Sequence, residues 1–334
     1  MNIRLVIVTS DMEYAECFSD VISDNYKNVF KMSICSSAAN YKSLSDRKHF
    51  DIALVDGDIA EEIAFPNARL CAELCDESGP EVGDTYYPIQ KYQRISHIVS
   101  ELLEQYSKVA NSAGGYGQAK GRLTAVWSPV GGVGKTSIAM AYAAGIASEE
   151  NPVIYLNLEP FSSTAAYFHD NAKSISSLFE GLGGNSNMEI LIAGLLQKDT
   201  GSEILYFGPA VNYDDLNILT ISDLEEIIDG CVAQCSELVV DLSSSCDEKN
   251  RYILERADRV LAVADDSVTG KNKWSQFQTQ HSLYGEIADK MTLVANKGAD
   301  VSSWYREAVV SVPFVRSQDP VIVYKTLSVQ DFDE

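Results

Sequence analysis

The sequence predicts an α/β chain made of two parallel-sheet domains in tandem. Short apolar runs recur along it with amphipathic stretches between them, from Leu5-Val-Ile-Val8 to Met291-Thr-Leu-Val-Ala295. A strand buried on both faces reads as such a run, and parallel strands need a crossover between them, so the alternation implies sheets covered on both sides. A small, polar, aperiodic stretch from Ser107 to Gly121 interrupts the pattern and reads as a flexible linker. The length of 334 residues leaves each side enough chain for its own core. The expected division is residues 1–106, a linker at 107–121, and residues 122–334.

In the first domain Leu5 to Val8 is a strand. Asp11 is placed to cap a helix whose Tyr14, Phe18, Val21 and Ile22 share one face. Further runs at Val29–Ile34, Ile52–Val55 and Leu70–Leu74 continue the alternation, and a short fifth strand ends at Lys91. Ile95 to Tyr106 closes the domain as a helix with Ile95, Ile98, Val99, Leu102 and Leu103 on one stripe.

The second domain opens on the stretch that organises it, Ser128-Pro-Val-Gly-Gly-Val-Gly-Lys-Thr-Ser137, between an apolar run (Leu123 to Trp127) and a small-residue helical run (Ile138 to Ala147). Strand, glycine loop, helix is the arrangement of a phosphate loop. Gly131, Gly132 and Gly134 let a phosphate approach the backbone N–H groups, and the helix N-terminus adds its positive end. Val133 and Ser137 complete the cradle. Lys135 supplies a cation for the β- and γ-phosphates, and Thr136 a hydroxyl suited to Mg²⁺. Pro129 stands where the first glycine of the full pattern belongs.

Val153 to Leu156 is the next strand, with Asn157 and Glu159 emerging at its carboxyl end, where α/β proteins hold ligands. Glu159 is placed to orient an attacking water and Asn157 to hydrogen-bond near a γ-phosphate. Helices are expected at Ser174–Leu182 and Met188–Leu196, and a strand at Ile204–Phe207. Ser222-Asp-Leu-Glu225 reads as a capping box for a helix running to Cys235. Glu237 to Leu242 is a buried strand carrying Asp241, the acid expected to hold Mg²⁺ through a water. Runs at Asp258–Ala264, Met291–Lys297 and Val309–Pro313 supply the remaining strands.

The formal net charge of −22 argues against nucleic acid as a partner, because the chain has no surplus cations to replace phosphate counterions. Seven cysteines, an odd number without a Cys-x-x-Cys pair, read as free thiols in a reducing compartment. The two Cys-x3-Cys spacings, Cys71/Cys75 and Cys231/Cys235, would each share a face on a helical turn. No apolar run approaches a membrane span. Met1-Asn-Ile-Arg4 runs directly into a strand, which reads as no targeting segment and a cytoplasmic protein.

Phe50-Asp-Ile-Ala-Leu-Val-Asp56 and Lys91 make the first domain similar to response-regulator receivers, whose fold is flavodoxin-like. Asp56 falls at the phosphoacceptor position. Receivers hold Mg²⁺ with an acidic pair after their first strand, and here the residues are Thr9-Ser10-Asp11; Tyr92 stands where a proline usually follows the lysine. The resemblance therefore implies an interaction-only receiver rather than a phosphorylated one.

The second domain resembles the MinD/ParA-type P-loop ATPases in Gly131 to Thr136, Leu156-Asn-Leu-Glu-Pro160, Val239-Val-Asp-Leu242, Ala257 to Val263 and Val294-Ala-Asn-Lys297. That resemblance implies ATP and Mg²⁺ as cofactors and a homodimer formed through this domain. It implies an adenine read by Asn296, with Lys297 in the same motif and a loop at Val312-Pro313 over the base. The lysine that crosses that family's dimer to the partner's phosphates would occupy position 130, which is Val130. Asn157 and Glu159 replace two aspartates.

As a whole the chain resembles the TadZ/CpaE localisation proteins of tight-adherence (Flp) pilus assembly. This implies an ATP-dependent scaffold at a cell pole that recruits pilus secretion proteins, with slow hydrolysis. A cycling ParA/MinD-type positioning ATPase is the alternative. It calls for a basic surface or a basic amphipathic tail, and the tail here, Val321 to Glu334, is acidic and rich in β-branched residues.

Overall fold

The computed structural model describes residues 3–26, 29–63, 66–76, 86–109, 121–168, 172–182, 188–305 and 309–332. Most of the expected linker at 107–121 lies outside them. In chain order the first elements are β1 (Ile3–Val8), α1 (Met12–Asn25), β2 (Phe30–Cys35), α2 (Ala38–Ser45), β3 (Phe50–Asp56), α3 (Gly57–Ala60), β4 (Ala68–Cys75), β5 (Tyr87–Gln90) and α4 (Ile95–Val109). Next come β6 (Arg122–Trp127), α5 (Lys135–Ile146), β7 (Val153–Asn157), α6 (Ser176–Gly181), α7 (Met188–Leu195), β8 (Gln197–Lys198) and β9 (Leu205–Tyr206). They are followed by α8 (Tyr213–Ile218), α9 (Ile221–Val232), β10 (Glu237–Asp241), α10 (Glu248–Arg256) and β11 (Arg259–Ala264). The chain finishes with α11 (Val268–Gln278), α12 (His281–Ile287), β12 (Met291–Ala295), β13 (Val309–Ser311) and α13 (Pro320–Leu327).

The chain divides into two compact units, Met1–Gly117 with Gly181–Gly194, and Gln118–Glu180 with Leu195–Glu334. The first holds a parallel sheet ordered β2-β1-β3-β4-β5, the flavodoxin-like order. Asp11 caps α1 by accepting the N–H of Tyr14 at 3.0 Å. One side of the sheet packs Leu5, Ile7, Ile52, Leu54, Phe18 and the α4 stripe Ile98, Val99, Leu102 and Leu103 into a single core, and Ile190 of α7 belongs to that core. The helix expected at 188–196 forms, and its apolar face packs in the first unit. Gly194 makes the fit close: a Cβ there would lie 2.7 Å from Cβ of Leu103.

The second unit holds an eight-stranded sheet ordered β13-β12-β11-β6-β10-β7-β9-β8. Among the described residues, only the pairing of β8 with β9 in this sheet is antiparallel. Strand β6 therefore lies centrally, with β10 and β7 to one side and β11 and β12 to the other. β10 and β11 are buried at every position, as continuous apolar strands between two helical layers should be. Helix α5 buries Ile138 to Ala143, and its alanines let it lie close against the sheet. Asp319 caps α13, Pro320 opens it, and α13 packs on α5.

Three local expectations are corrected. The box that opens α9 is Thr220 with Asp223, two residues earlier than Ser222 with Glu225, because Thr220 is the residue with extended backbone whose hydroxyl reaches the N–H of Asp223. Cys71 and Cys75 lie on β4 rather than on a helical turn. Cys235 lies just past α9, its thiol donating to the carbonyl of Cys231. The strand expected over 204–207 is reduced to Leu205–Tyr206.

Candidate functional site

In a parallel sheet the carboxyl ends of the strands share one edge. In the second unit that edge carries the loop after β6, Asn157 after β7, Asp241 ending β10 and Asn296 after β12. Register completes the arrangement. Asp241 pairs with Val126 on one side and Asn157 on the other, which sets Asn157 directly beside the acid.

The phosphate loop has the conformation its glycines permit. Gly132 and Gly134 sit at φ 74° and 96°, where an L side chain is strained. A Cβ on Gly131 or Gly132 would meet nothing within 4 Å, so the mouth of the loop is open. Gly134 is the N-cap of α5 and offers no side chain to the first helical N–H groups. Those donors and the positive end of the helix are left facing the loop. Lys135, 7% exposed, donates to Ser244 Oγ at 3.0 Å and lies 3.7 Å from Glu159 Oε1. Ser137 shares a hydrogen bond with the Tyr167 hydroxyl at 3.0 Å.

Asp241 is fully buried. Its Oδ2 accepts from the Tyr155 hydroxyl at 2.9 Å and from Asn157 Nδ2 at 3.1 Å, while Oδ1 has no partner. Burial raises its pKa to about 7, and the negative charge of Glu159 adds to the rise. The nearby Thr136 and Tyr155 hydroxyls and the charge of Lys135 act against it. A buried, unpaired carboxylate oxygen beside a threonine hydroxyl at a phosphate loop has the chemistry of a Mg²⁺ site. The residues present thus fit both parts of MgATP: an open N–H cradle for phosphate, and Asp241 with Thr136 for the cation.

Asn157 Oδ1 accepts the N–H of Glu159 at 3.1 Å, which fixes the turn that carries Glu159 toward Lys135. Asn296 is buried, and its Nδ2 donates to Val133 O at 2.8 Å. Lys297 Nζ donates to Gly132 O at 3.0 Å. Pro313 lies on the exposed segment after β13, which is tied to the Asn296 turn by the Gly298 N–H donating to Val312 O at 2.8 Å. Val130 is 5% exposed; its N–H donates to Ser128 Oγ and its carbonyl accepts from Ser244 Oγ. Tyr155 and Ser244 are the members that sequence reasoning missed. Tyr155 looks like an ordinary strand aromatic until register places its hydroxyl on Asp241. Ser244 is one serine of Ser243-Ser-Ser245, and nothing local singles it out.

The carboxyl edge of the first sheet carries a second, separate cluster. Asp56 ends β3 and Lys91 follows β5, as the receiver resemblance implied. Their side chains, both 7% exposed, meet at 2.7 Å, and Thr9 Oγ1 donates to the same Asp56 oxygen at 2.6 Å. The Lys91 ammonium lies 5.3 Å and 5.5 Å from the ring centroids of Tyr14 and Tyr92. Burial works against its charge, and the hydrogen-bonded Asp56 carboxylate more than offsets this, leaving the lysine pKa above its ordinary value.

The second unit has the fold of the ParA/MinD-type P-loop ATPases. The ParA family ATPase of Chlorobium tepidum TLS aligns over 62% of this chain and 90% of its own, at 14% identity and a TM-score of 0.52. The cell division ATPase MinD of Pyrococcus furiosus aligns over 62% and 97%, at 12% identity and a TM-score of 0.45. A MinC:MinD cell division complex of Aquifex aeolicus aligns over 63% and 97%, at 13% identity and 0.46. Of these three, the Chlorobium tepidum structure carries the comparison, and at 14% identity it shows the fold alone. No protein-family model matches the chain, and no curated protein does. Among the described residues no helix is long and apolar enough to cross a membrane.

Proposed function

We propose that the chain is an ATP-binding scaffold. Its second unit holds MgATP and forms a homodimer through that unit while hydrolysing slowly, and its first unit serves as a docking module. The observation that carries the reading is the glycine loop itself. Two left-handed glycines and an uncapped helix N-terminus face an open mouth beside Lys135, with the half-satisfied Asp241 at its floor. Lys135 neutralises β- and γ-phosphate oxygens, Thr136 and Asp241 hold the cation (Asp241 through a water), and Glu159 is placed to orient a water. Bound Mg²⁺ supplies charge neutralisation at the phosphates.

Slow turnover is supported by Val130. It is aliphatic and folded inward, and so offers no cation to a partner's phosphates. The closed Asp56–Lys91 pair supports an interaction-only first unit. With the resemblances drawn from the sequence, these features favour a TadZ/CpaE-like role, concentrating at a cell pole and recruiting Flp pilus secretion proteins. A cycling ParA/MinD-type ATPase is the second reading, favoured by the fold of the second unit.

Titration calorimetry with MgATP tests the site. Lys135→Ala leaves phosphate charge unpaired, which costs about 2–5 kcal/mol for a buried charge pair. The affinity is expected to fall at least about tenfold. Unchanged affinity would refute the phosphate-loop assignment.

A further inference from the structure

The side chain of Asn157 has three polar neighbours, and between them they use its carbonyl oxygen and both of its hydrogens. Oδ1 accepts the backbone N–H of Glu159 at 3.1 Å. A backbone N–H can only donate, so this contact decides which way the amide lies. Nδ2 then faces the Tyr155 hydroxyl and Asp241 Oδ2, each at 3.1 Å, with one hydrogen for each. No donor is left over for a γ-phosphate, the partner that the sequence suggests for this residue.

The same contacts orient Tyr155. Its oxygen takes a hydrogen from Asn157, so its own hydrogen goes to Asp241 Oδ2 at 2.9 Å. The residue is 1% exposed, and its ring packs edge-on to Phe168, which holds the hydroxyl in place. Register puts the three side chains together: β7 and β10 pair Tyr155 with Val239 and Asn157 with Asp241, and residues two apart share a face. Oδ2 of Asp241 thus receives two hydrogen bonds, while the buried Oδ1 has no partner among the described residues.

We infer that Tyr155 and Asn157 are positioning residues, which hold Asp241 by one carboxylate oxygen and leave the other, Oδ1, to face the cation and its water. The role rests on the reading that the loop takes MgATP. Through Oδ1 of its amide, Asn157 also sets the turn that carries Glu159. One side chain therefore ties the acid of the cation site to the acid placed to orient a water. An aspartate at position 157 could not do this, because it has no hydrogen to give Asp241 and would set a second carboxylate against the first.

The gain in ATP affinity that Mg²⁺ confers, measured on the full chain by calorimetry in Mg²⁺ and in EDTA, tests the inference. Removing a group that orients a metal ligand from behind costs about 10–100-fold in metal affinity. Tyr155→Phe deletes one hydroxyl and keeps the packed ring, so it should fold as the wild type does. It is expected to cut the Mg²⁺ gain about tenfold and to leave the affinity in EDTA unchanged. Asn157→Ala should cut the gain as well. The double variant should lose less than the product of the two, because both residues act on one oxygen. Electron paramagnetic resonance of Mn²⁺ should show the same loss directly, as weaker Mn²⁺ binding to the ATP-loaded variants. Equal losses with and without metal would overturn the inference, since Asn157 would then touch phosphate or merely shape the loop. A wild-type Mg²⁺ gain in Tyr155→Phe would overturn it too. A wild-type chain that binds no ATP would instead remove nucleotide binding itself, and this role with it.

Discussion

Asp241 shows how one side chain can be costly to the fold and yet suit the cation of the proposed site. Its folded pKa of about 7 lies above the usual carboxylate value, chiefly because it is buried. Below about pH 4 it is protonated in both folded and unfolded chains. Between about pH 4 and 7 the unfolded chain gives up the proton while the folded one keeps it, so stability falls as pH rises through that window. The loss is at most on the order of 4 kcal/mol. Asp241→Asn should remove this slope from the nucleotide- and metal-free protein, so that its advantage in thermal stability grows from about pH 5 to pH 8. An advantage that stays constant with pH would refute the account of Asp241. The residues that met at this site were unequally legible in the sequence. Lys135 and Thr136 could be read because a glycine loop constrains its own neighbours, and Asp241 because a strand end is a local feature. Tyr155 and Ser244 were not legible, because their roles come from register and loop packing across the sheet.

At the scale of elements, two placements matter. The first is the closed pair at the edge of the first sheet. A phosphoacceptor needs an accessible carboxylate and a bound cation, whereas one Asp56 oxygen is held by both Lys91 and Thr9. Acetyl phosphate with Mg²⁺ should therefore leave Asp56 unmodified by intact mass. Stoichiometric phosphorylation there would overturn the docking-module reading. The second is α7. Periodicity shows that residues 188–196 are helical, but a stripe of apolar residues does not say which core it will enter. In the structure Ile190 joins Ile98, Val99 and Leu102. Ile190→Asp would set a carboxylate among apolar groups at a cost of several kcal/mol. It should lower the unfolding temperature of the first unit while leaving MgATP affinity intact. Loss of both together, or of neither, would contradict that placement. The capping box of α9 shows the same limit on a smaller scale. Thr220 with Asp223 and Ser222 with Glu225 both offer a hydroxyl and an acid three residues on, and backbone geometry decides between them.

Over the whole molecule, the main parallel strands of both sheets were legible, because short apolar runs with crossovers between them leave few topologies open. Helices α2, α3, α8 and α10 to α13 and strand β8 left no comparable pattern in the sequence. What the sequence leaves open is rate: a glycine loop of this kind is the same in a scaffold and in a cycling ATPase. The two differ in the charge offered to the transition state. Delivery of a cation in trans is worth about 10³–10⁵ in rate in other phosphoryl-transfer proteins, and Val130 offers none. The measurement that tests the central claim most directly incubates the full chain with MgATP, separates bound from free nucleotide, and follows phosphate release in the same sample. A scaffold of the kind proposed retains intact ATP, releases phosphate far more slowly than once per second, and loses the bound nucleotide in Lys135→Ala. No retained nucleotide, or several turnovers per second without a partner, would contradict the account.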